Sequence, residues 1–222
     1  RPDLSHAATL LSSNACVWDD VAETELGRLV GYLESHPDCV LGYVNRSPGK
    51  VWTLKELQFR VYVDASLQSP RSYSGAVLCI RAPDGTEIPV DWYSRRQKLG
   101  VTSSMMAELV ALAEGVATFG SLQELFDCNP IEFMSDSESA LRAVQRGHSI
   151  ATSAYTHAYR LRISALRDLE DLGMVQYQHI GTRHNKSDLM TKVLGSYEYL
   201  RLSQRNRVLR ADCPQISRST EV

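Results

Sequence analysis

The chain has 222 residues, enough to bury a substantial core in one large domain or in a medium domain with appendages. Its 24 basic and 26 acidic residues give a net charge of −2, which excludes a globally basic nucleic-acid binder. Any nucleic-acid contact must therefore come from a local basic patch. No apolar run approaches the roughly 18 residues needed to cross a bilayer, so we expect a soluble protein with no membrane partner.

The cysteines favour an intracellular protein without zinc. They are five in number, scattered, and include no C-x-x-C pair of the kind that indicates a zinc or redox centre. We interpret them as reduced residues. Because the sequence begins at Arg1, we also expect a fragment or a processed piece of a longer protein.

The first fifty residues are predicted to form a small N-terminal segment. Apolar side chains at helical spacing predict an amphipathic helix over residues 23–35. A strand candidate at residues 41–44 precedes a turn or linker at residues 45–50. We therefore predict an N-terminal helix or connection segment (1–50), a main domain (51–200), and a C-terminal helix end with a flexible tail (201–222).

The main domain shows an α/β pattern. Alternating apolar residues predict a strand over residues 58–64, and two further apolar runs, 75–81 and 88–94, form a hairpin around Asp84-Gly85. The later elements, in chain order, are a helix over 104–119, a strand over 131–134, a helix from Ser137, a helix over 153–172, a strand over 175–180 and a helix from 186 to about 208.

Four acidic residues lie at unusual positions in this pattern. Asp64 ends a strand, where aspartate is disfavoured. Glu108 shares the apolar face of its helix with Leu112, and a charged group there normally needs a partner or a metal. Asp136 follows a strand, at the carboxyl end where open α/β sheets place their ligands. Asp188 lies in the first turn of the last predicted helix, where the helix dipole favours an acid.

Each of these residues alone also has a structural explanation. Asp64 could start a turn, Asp136 could cap a helix, and Asp188 could be held by the helix dipole. Carboxylates that converge from separate elements repel one another, however, and hard cations with oxygen ligands stabilise such a set. Two divalent ions about 3.5–4 Å apart can activate water and stabilise a leaving oxygen at phosphorus. The four together therefore predict two Mg²⁺ ions, or Mn²⁺ as a substitute, and phosphodiester hydrolysis.

Three stretches of the sequence carry a recognisable family pattern. Residues 92–104 (WYSRRQKLGVTSS) are followed by Ala107-Glu108, and Ser135-Asp136-Ser137 is followed by Ser139-Ala140. The third stretch runs from His179-Ile180 to Thr191-Lys192. Together with the order of the four carboxylates, these stretches resemble the RNase H domain, with its preceding connection segment, of copia-type LTR retrotransposon polyproteins. The resemblance covers about residues 23–194, although Ser187 stands where the family commonly has alanine.

The resemblance implies both a fold and an activity. The implied fold is RNase H-like, with a five-stranded mixed sheet of three antiparallel and then two parallel strands, flanked by helices. The implied activity is metal-dependent hydrolysis of the RNA strand of RNA/DNA hybrids, with Asp64, Glu108, Asp136 and Asp188 as catalytic metal ligands. A reverse transcriptase domain in the same polyprotein is the implied partner. The implied location is the cytoplasm or nucleus, including virus-like particles.

Further candidates and alternatives remain open from the sequence. His179 is a second-tier catalytic candidate for product release, with His184 as its competitor; each could equally be a structural or solvated residue. Basic residues near the site could bind phosphates or simply face solvent: Arg95, Arg96, Lys98, Arg183 and Lys186. One alternative function is a catalytically silent RNase H-like interaction or architectural module of a polyprotein or ribonucleoprotein. Another is an integrase, which the order of the carboxylates disfavours because the glutamate falls second.

Overall fold

The N-terminal segment contains two α-helices where the sequence predicted one. The computed structural model describes residues 1–42, 46–68, 71–148 and 157–210. A short 3₁₀ turn leads into α1 (Ser5–Ser13), and α2 spans Asp20–Ser35. The side chain of Asp19 accepts a hydrogen bond from the Ala22 amide at 2.8 Å, which explains why α2 begins before the predicted residue 23. Strand β1 spans Cys39–Leu41, so the predicted strand at 41–44 was misplaced, and residues 43–45 lie outside the described residues.

A mixed five-stranded sheet forms the centre of the described structure. Its strands are β2 (Gln58–Ser66), β3 (Tyr73–Arg81), β4 (Glu87–Arg96), β5 (Ile131–Ser135) and β6 (Val175–His179). The spatial order is β4-β3-β2-β5-β6. The pairs β4/β3 and β3/β2 are antiparallel, whereas β2/β5 and β5/β6 are parallel. This arrangement confirms the predicted RNase H-like fold.

Helices cover both faces of this sheet. They are α3 (Ser104–Phe119), α4 (Leu122–Phe126), α5 (Glu138–Arg146), α6 (His157–Asp171) and α7 (Ser196–Arg205). The predicted helix at 153–172 is confirmed from residue 157 onward, and residues 153–156 lie outside the described residues. A last strand, β7 (Val208–Arg210), follows α7.

The predicted continuous helix from 186 to about 208 was wrong. A five-residue 3₁₀ helix, Lys186–Met190, is followed by an irregular stretch, and α7 begins only after Gly195. The side chain of Asn185 accepts hydrogen bonds from the amide and hydroxyl of Ser187, which holds the start of this short turn. The chain can therefore bend over the sheet instead of leaving it as a straight helix.

Strand β2 is buried on both faces because its two sets of alternating side chains enter different cores. Val61 and Val63 are fully buried in the larger core with α3, α5 and α6. Tyr62 lies in a second core with Met190 and Leu202, on the side of the 3₁₀ helix and α7. The helical stretch Ser104–Phe126 has the length and apolar composition of a membrane span, and 56 % of its most apolar 18-residue window is buried inside the protein.

The N-terminal segment packs on the edge of the sheet and on the C-terminal end of the described chain. In α1, the hydroxyl of Thr9 donates to the carbonyl of Ser94 at 2.9 Å, and the Nδ1 atom of His6 lies 3.3 Å from the Ser94 hydroxyl. Strand β1 pairs antiparallel with β7. The domain boundary near residue 50 stays a prediction.

Candidate active site

Three carboxylates from three separate elements converge at one end of the sheet. Asp64 lies near the end of β2, and Asp136 follows β5. Because β2 and β5 are parallel neighbours, their carboxyl ends lie at the same edge. Glu108 comes from the second turn of α3. One ligand oxygen from each of the three lies within 4.8 Å of the others.

The close packing of α3 on the sheet brings Glu108 into this cluster. Ser103 caps the helix by accepting a hydrogen bond from the Met106 amide at 3.3 Å. Further along, Gly115 lies so close to β2 that an added Cβ atom would be 2.8 Å from Val63 Cγ1. The Oε2 atom of Glu108 is buried and has no hydrogen-bond partner among the described residues. An unpartnered buried carboxylate oxygen normally requires a cation, so this donor set fits a hard divalent ion.

Asp188 lies beside the three-carboxylate cluster but has a different partner. It belongs to the 3₁₀ helix, not to the first turn of an α-helix as predicted. Its Oδ1 atom lies 2.6 Å from the ammonium of Lys192, which also lies 3.4 Å from Asp64 Oδ1. The hydroxyl of Thr191 donates to the other oxygen of Asp64. Lys192 therefore lies between two of the four predicted metal ligands.

The protonation of the cluster is dominated by burial. Burial raises the pKa of Asp64 to about 7, since the opposing effect of Lys192 is only partial and Asp188 and Asp136 raise it further. Burial raises the pKa of Glu108 to about 9, with repulsion from Asp64 and Asp136 added. Burial also raises the pKa of Asp188 despite its contact with Lys192. The buried charges are thus poorly compensated within the protein.

These shifts predict how the stability of the metal-free protein depends on pH. Asp64 and Glu108 titrate near pH 4 when unfolded but near pH 7 and pH 9 when folded. Between the unfolded and the folded pKa of each carboxyl group, the folded state binds more protons than the unfolded state. The free energy of unfolding should therefore fall as pH rises from about 5 to 9. Urea unfolding in the presence of a chelator at several pH values measures this fall.

Glu108→Gln should show a shallower fall, because the amide cannot ionise. Its matched control is Glu138→Gln, since Glu138 is 58 % exposed and, among the residues that the structure describes, pairs with Arg142 alone, four residues on. Equal pH slopes for wild type and Glu108→Gln would contradict the expected role of burial at Glu108.

Asn185 holds the elements of the site together and was missed by the sequence analysis. Its side chain is fully buried, and its Nδ2 atom donates to the Val63 carbonyl at 3.0 Å and lies 3.5 Å from Asp136 Oδ1. Its Oδ1 atom accepts from the Ser187 hydroxyl at 2.6 Å. The hydroxyl at position 187, where the resemblance suggested alanine, thus orients Asn185.

The two histidine candidates lie in different surroundings. His179 is exposed at the end of β6 and pairs in register with Ser135, the residue before Asp136. It therefore lies at the same end of the sheet as the carboxylates. His184 is also exposed, and its Nδ1 atom lies 3.3 Å from an Arg205 guanidinium nitrogen.

The structure separates the basic candidates. Arg95 and Arg96 are the last two residues of β4, not residues that follow it. The guanidinium of Arg95 stacks 3.6 Å from the centre of the Tyr93 ring, whereas Arg96 and Lys98 are exposed.

The remaining two basic candidates differ in exposure. Arg183 is exposed, and its carbonyl accepts a hydrogen bond from Arg201. Lys186 is 12 % exposed and its ammonium lies 2.6 Å from Glu87, in contact with the Tyr62 ring. This ion pair fastens the 3₁₀ helix to β4, and the contact of Lys186 with nucleic acid stays a prediction.

The fold and the site together define an RNase H-like domain with a carboxylate cluster suited to a cation. No protein-family model matches the sequence, and no curated protein matches it. Among solved structures, the chain is similar to an RNase H1 isolated from compost by a metagenomic approach, with 19 % identity, 60 % of this chain and 92 % of that chain covered, and a TM-score of 0.45.

Two further solved structures show a similar relationship. For RNase H1 from the halophilic archaeon Halobacterium salinarum, the identity is 15 %, the coverage 60 % of this chain and 94 % of that chain, and the TM-score 0.42. For the RNase H domain of prototype foamy virus, the identity is 13 %, the coverage 65 % of this chain and 94 % of that chain, and the TM-score 0.42. The identities of these three structures to the chain are below 20 %.

Proposed function

We propose that this chain is a metal-dependent endonuclease that hydrolyses the RNA strand of RNA/DNA hybrids, as a ribonuclease H of the copia retrotransposon type. The observation that carries the proposal is the convergence of Asp64, Glu108 and Asp136 within 4.8 Å at one end of the sheet. The unpartnered buried oxygen of Glu108 supports cation binding, and the motifs around Glu108, Asp136 and Asp188 support the retrotransposon type.

The residues of the site have separable tasks in this proposal. Asp64, Glu108 and Asp136 would hold Mg²⁺ or Mn²⁺, which supplies activation of the attacking water and stabilisation of the leaving oxygen. Asn185 positions Asp136 through its contacts with β2. Thr191 donates a hydrogen bond to Asp64 and fixes the orientation of that carboxylate. A rigid set of ligands of this kind positions the reacting groups before substrate binds.

Substrate binding requires a local basic surface because the chain as a whole is slightly acidic. Arg96 and Lys98 are exposed at and just beyond the end of β4, and Arg95 lies beside them, so we assign phosphate contacts to this group. A small number of such contacts predicts a moderate salt dependence of hybrid binding. Lys186 does not belong to this group.

The motifs also suggest the larger context in which the domain works. In a copia-type polyprotein the domain would act with a reverse transcriptase on hybrids that reverse transcription produces. This context places the activity in the cytoplasm or nucleus, including virus-like particles. Finding such a polyprotein in the genomic sequence around this chain would support the assignment, and a different neighbouring domain would oppose it.

The experiment that tests the function is cleavage of an RNA/DNA hybrid labelled on the RNA strand. We expect cleavage in Mg²⁺ or Mn²⁺, none with a chelator, and none of duplex DNA of the same sequence. Duplex RNA controls for general ribonuclease activity. If a folded preparation cleaves no hybrid in either metal, the proposal fails and the catalytically silent module takes its place.

A further inference from the structure

We propose that the ammonium of Lys192 takes the place of one of the two cations, so that the resting site binds a single divalent ion on Asp64, Glu108 and Asp136. Asp188 is then the ionic partner of Lys192 and not a metal ligand. The inference rests on the proposed metal-dependent function and concerns the regulation of the same site.

The position of Lys192 is the first part of the case. Its Nζ atom lies 2.6 Å from Asp188 Oδ1 and 3.4 Å from Asp64 Oδ1, so one ammonium bridges two of the four predicted ligands. Asp188 and Lys192 are four residues apart, and the amides of Thr191 and Lys192 both donate to the Asp188 carbonyl. The main chain thus directs the lysine back toward its own turn and the end of β2.

The carboxylate oxygens that are still able to bind a cation are the second line of evidence. Asp64 has one oxygen bonded to the Thr191 hydroxyl and the other facing Lys192. Glu108, by contrast, keeps a buried oxygen without a partner among the described residues. The convergent set comprises Asp64, Glu108 and Asp136 and does not include Asp188. The carboxylate oxygen that no contact satisfies therefore belongs to Glu108, which has no hydrogen bond or ion pair with Lys192 among the described residues.

Electrostatic repulsion explains why the site binds one divalent ion and not two. An ammonium repels a divalent ion brought to the carboxylates that it already neutralises, and the repulsion is strong where water is excluded. The Asp64 side chain is 1 % exposed and that of Asp188 is 8 % exposed, so solvent screens this repulsion weakly. The Lys192 side chain is 35 % exposed, which gives it room to move outward. A second ion can bind only when Lys192 leaves, for example toward a substrate phosphate.

The test is the stoichiometry of Mn²⁺ binding, measured by calorimetry or electron paramagnetic resonance on the purified chain without nucleic acid. We expect one ion per chain for wild type and two for Lys192→Met, because removal of the ammonium frees oxygens of Asp64 and Asp188. Lys55→Met is the matched control, since Lys55 is exposed and pairs with Asp127 away from the site, and it should bind one ion. Two ions in wild type, or one in Lys192→Met, would overturn the proposal.

Two further variants keep the test decisive if Lys192→Met folds poorly without metal. Lys192→Met combined with Asp188→Asn removes both partners and should bind one ion; two ions would overturn the proposal. Asp188→Asn alone should leave the Mn²⁺ affinity within about threefold of wild type, whereas Glu108→Gln should lose binding. An equal loss in both would show that Asp188 is a ligand.

These binding experiments also separate the inference from the proposed function. A chain that binds Mn²⁺ with the expected stoichiometries but cleaves no hybrid would support the role of Lys192 and overturn the nuclease. A chain that cleaves hybrid but binds two ions with Lys192 present would support the nuclease and overturn the role of Lys192.

Discussion

Asp136→Asn is expected to reduce hybrid cleavage by about 10³-fold or more, equivalent to about 4 kcal/mol of transition-state stabilisation, while the fold is retained. Asp136 contributes one of the three converging ligand oxygens. It is also less buried than Asp64, and the hydrogen bond that it accepts from Asn185 is long, at 3.5 Å. Asparagine keeps the shape of the side chain and removes its charge. The loss should therefore appear in catalysis and Mn²⁺ binding rather than in stability.

A matched control distinguishes this effect from a general loss of negative charge. Asp127 is 86 % exposed, pairs with Lys55 and has a left-handed backbone with φ of 45°, a conformation that asparagine also tolerates. Asp127→Asn should retain activity within about twofold. If Asp136→Asn keeps more than a tenth of the wild-type rate, the assignment of the cluster as the catalytic centre is wrong.

Gly75→Ala is expected to cost about 1–3 kcal/mol of stability. Gly75 lies on β3 directly opposite Asp64. An added Cβ atom would lie 2.4 Å from Met190 Cβ and 2.7 Å from Thr191 Cγ2, distances at which the 3₁₀ segment must move away from the sheet. That movement would withdraw the Thr191 hydroxyl and the Lys192 ammonium from Asp64.

Urea unfolding of Gly75→Ala measures this loss of stability. Gly27→Ala is the control, because Gly27 lies in α2 with nothing within 4 Å of an added Cβ atom. Alanine in a helix interior should leave stability unchanged or raise it by up to about 1 kcal/mol. Wild-type stability in Gly75→Ala would show that the 3₁₀ segment does not depend on this close approach.

Local sequence patterns were sufficient to predict the five strands and to single out the carboxylates that converge, whereas the arrangement of the strands in the sheet followed from the family resemblance. The alternation in β2 is visible because Val61 and Val63 enter the larger core, whereas the other side of the strand carries the charged residues Arg60 and Asp64. Glu108 stood out because a charge on the apolar face of a helix has few structural explanations. Asp136 was indicated by its place after a buried strand, which the parallel pairing with β2 brings beside Asp64.

The contacts between distant segments could not be predicted in this way. Helix α1 has little to mark it in the sequence, because it is held by His6 and Thr9 on an edge strand far along the chain. The ion pair of Lys186 with Glu87 could not be predicted, because Glu87 lies about a hundred positions earlier in the sequence. Lys192 carried a signal, its spacing of four residues from Asp188, but that spacing also fits an ordinary surface ion pair.

The pairing of β1 with β7 has a consequence for the order in which the protein folds. These short strands join the N-terminal segment to the C-terminal end of the described chain, and closing so large a loop costs conformational entropy that a three-residue ladder recovers poorly. We therefore expect the β1/β7 pair to form after the five-stranded sheet and to be among the first parts of the structure to open. In the chain, α7 lies between β7 and the 3₁₀ segment that carries Asp188. We therefore expect separation of β1 from β7 to loosen the segment that positions Lys192, while the carboxylates on β2, on α3 and after β5 stay in place.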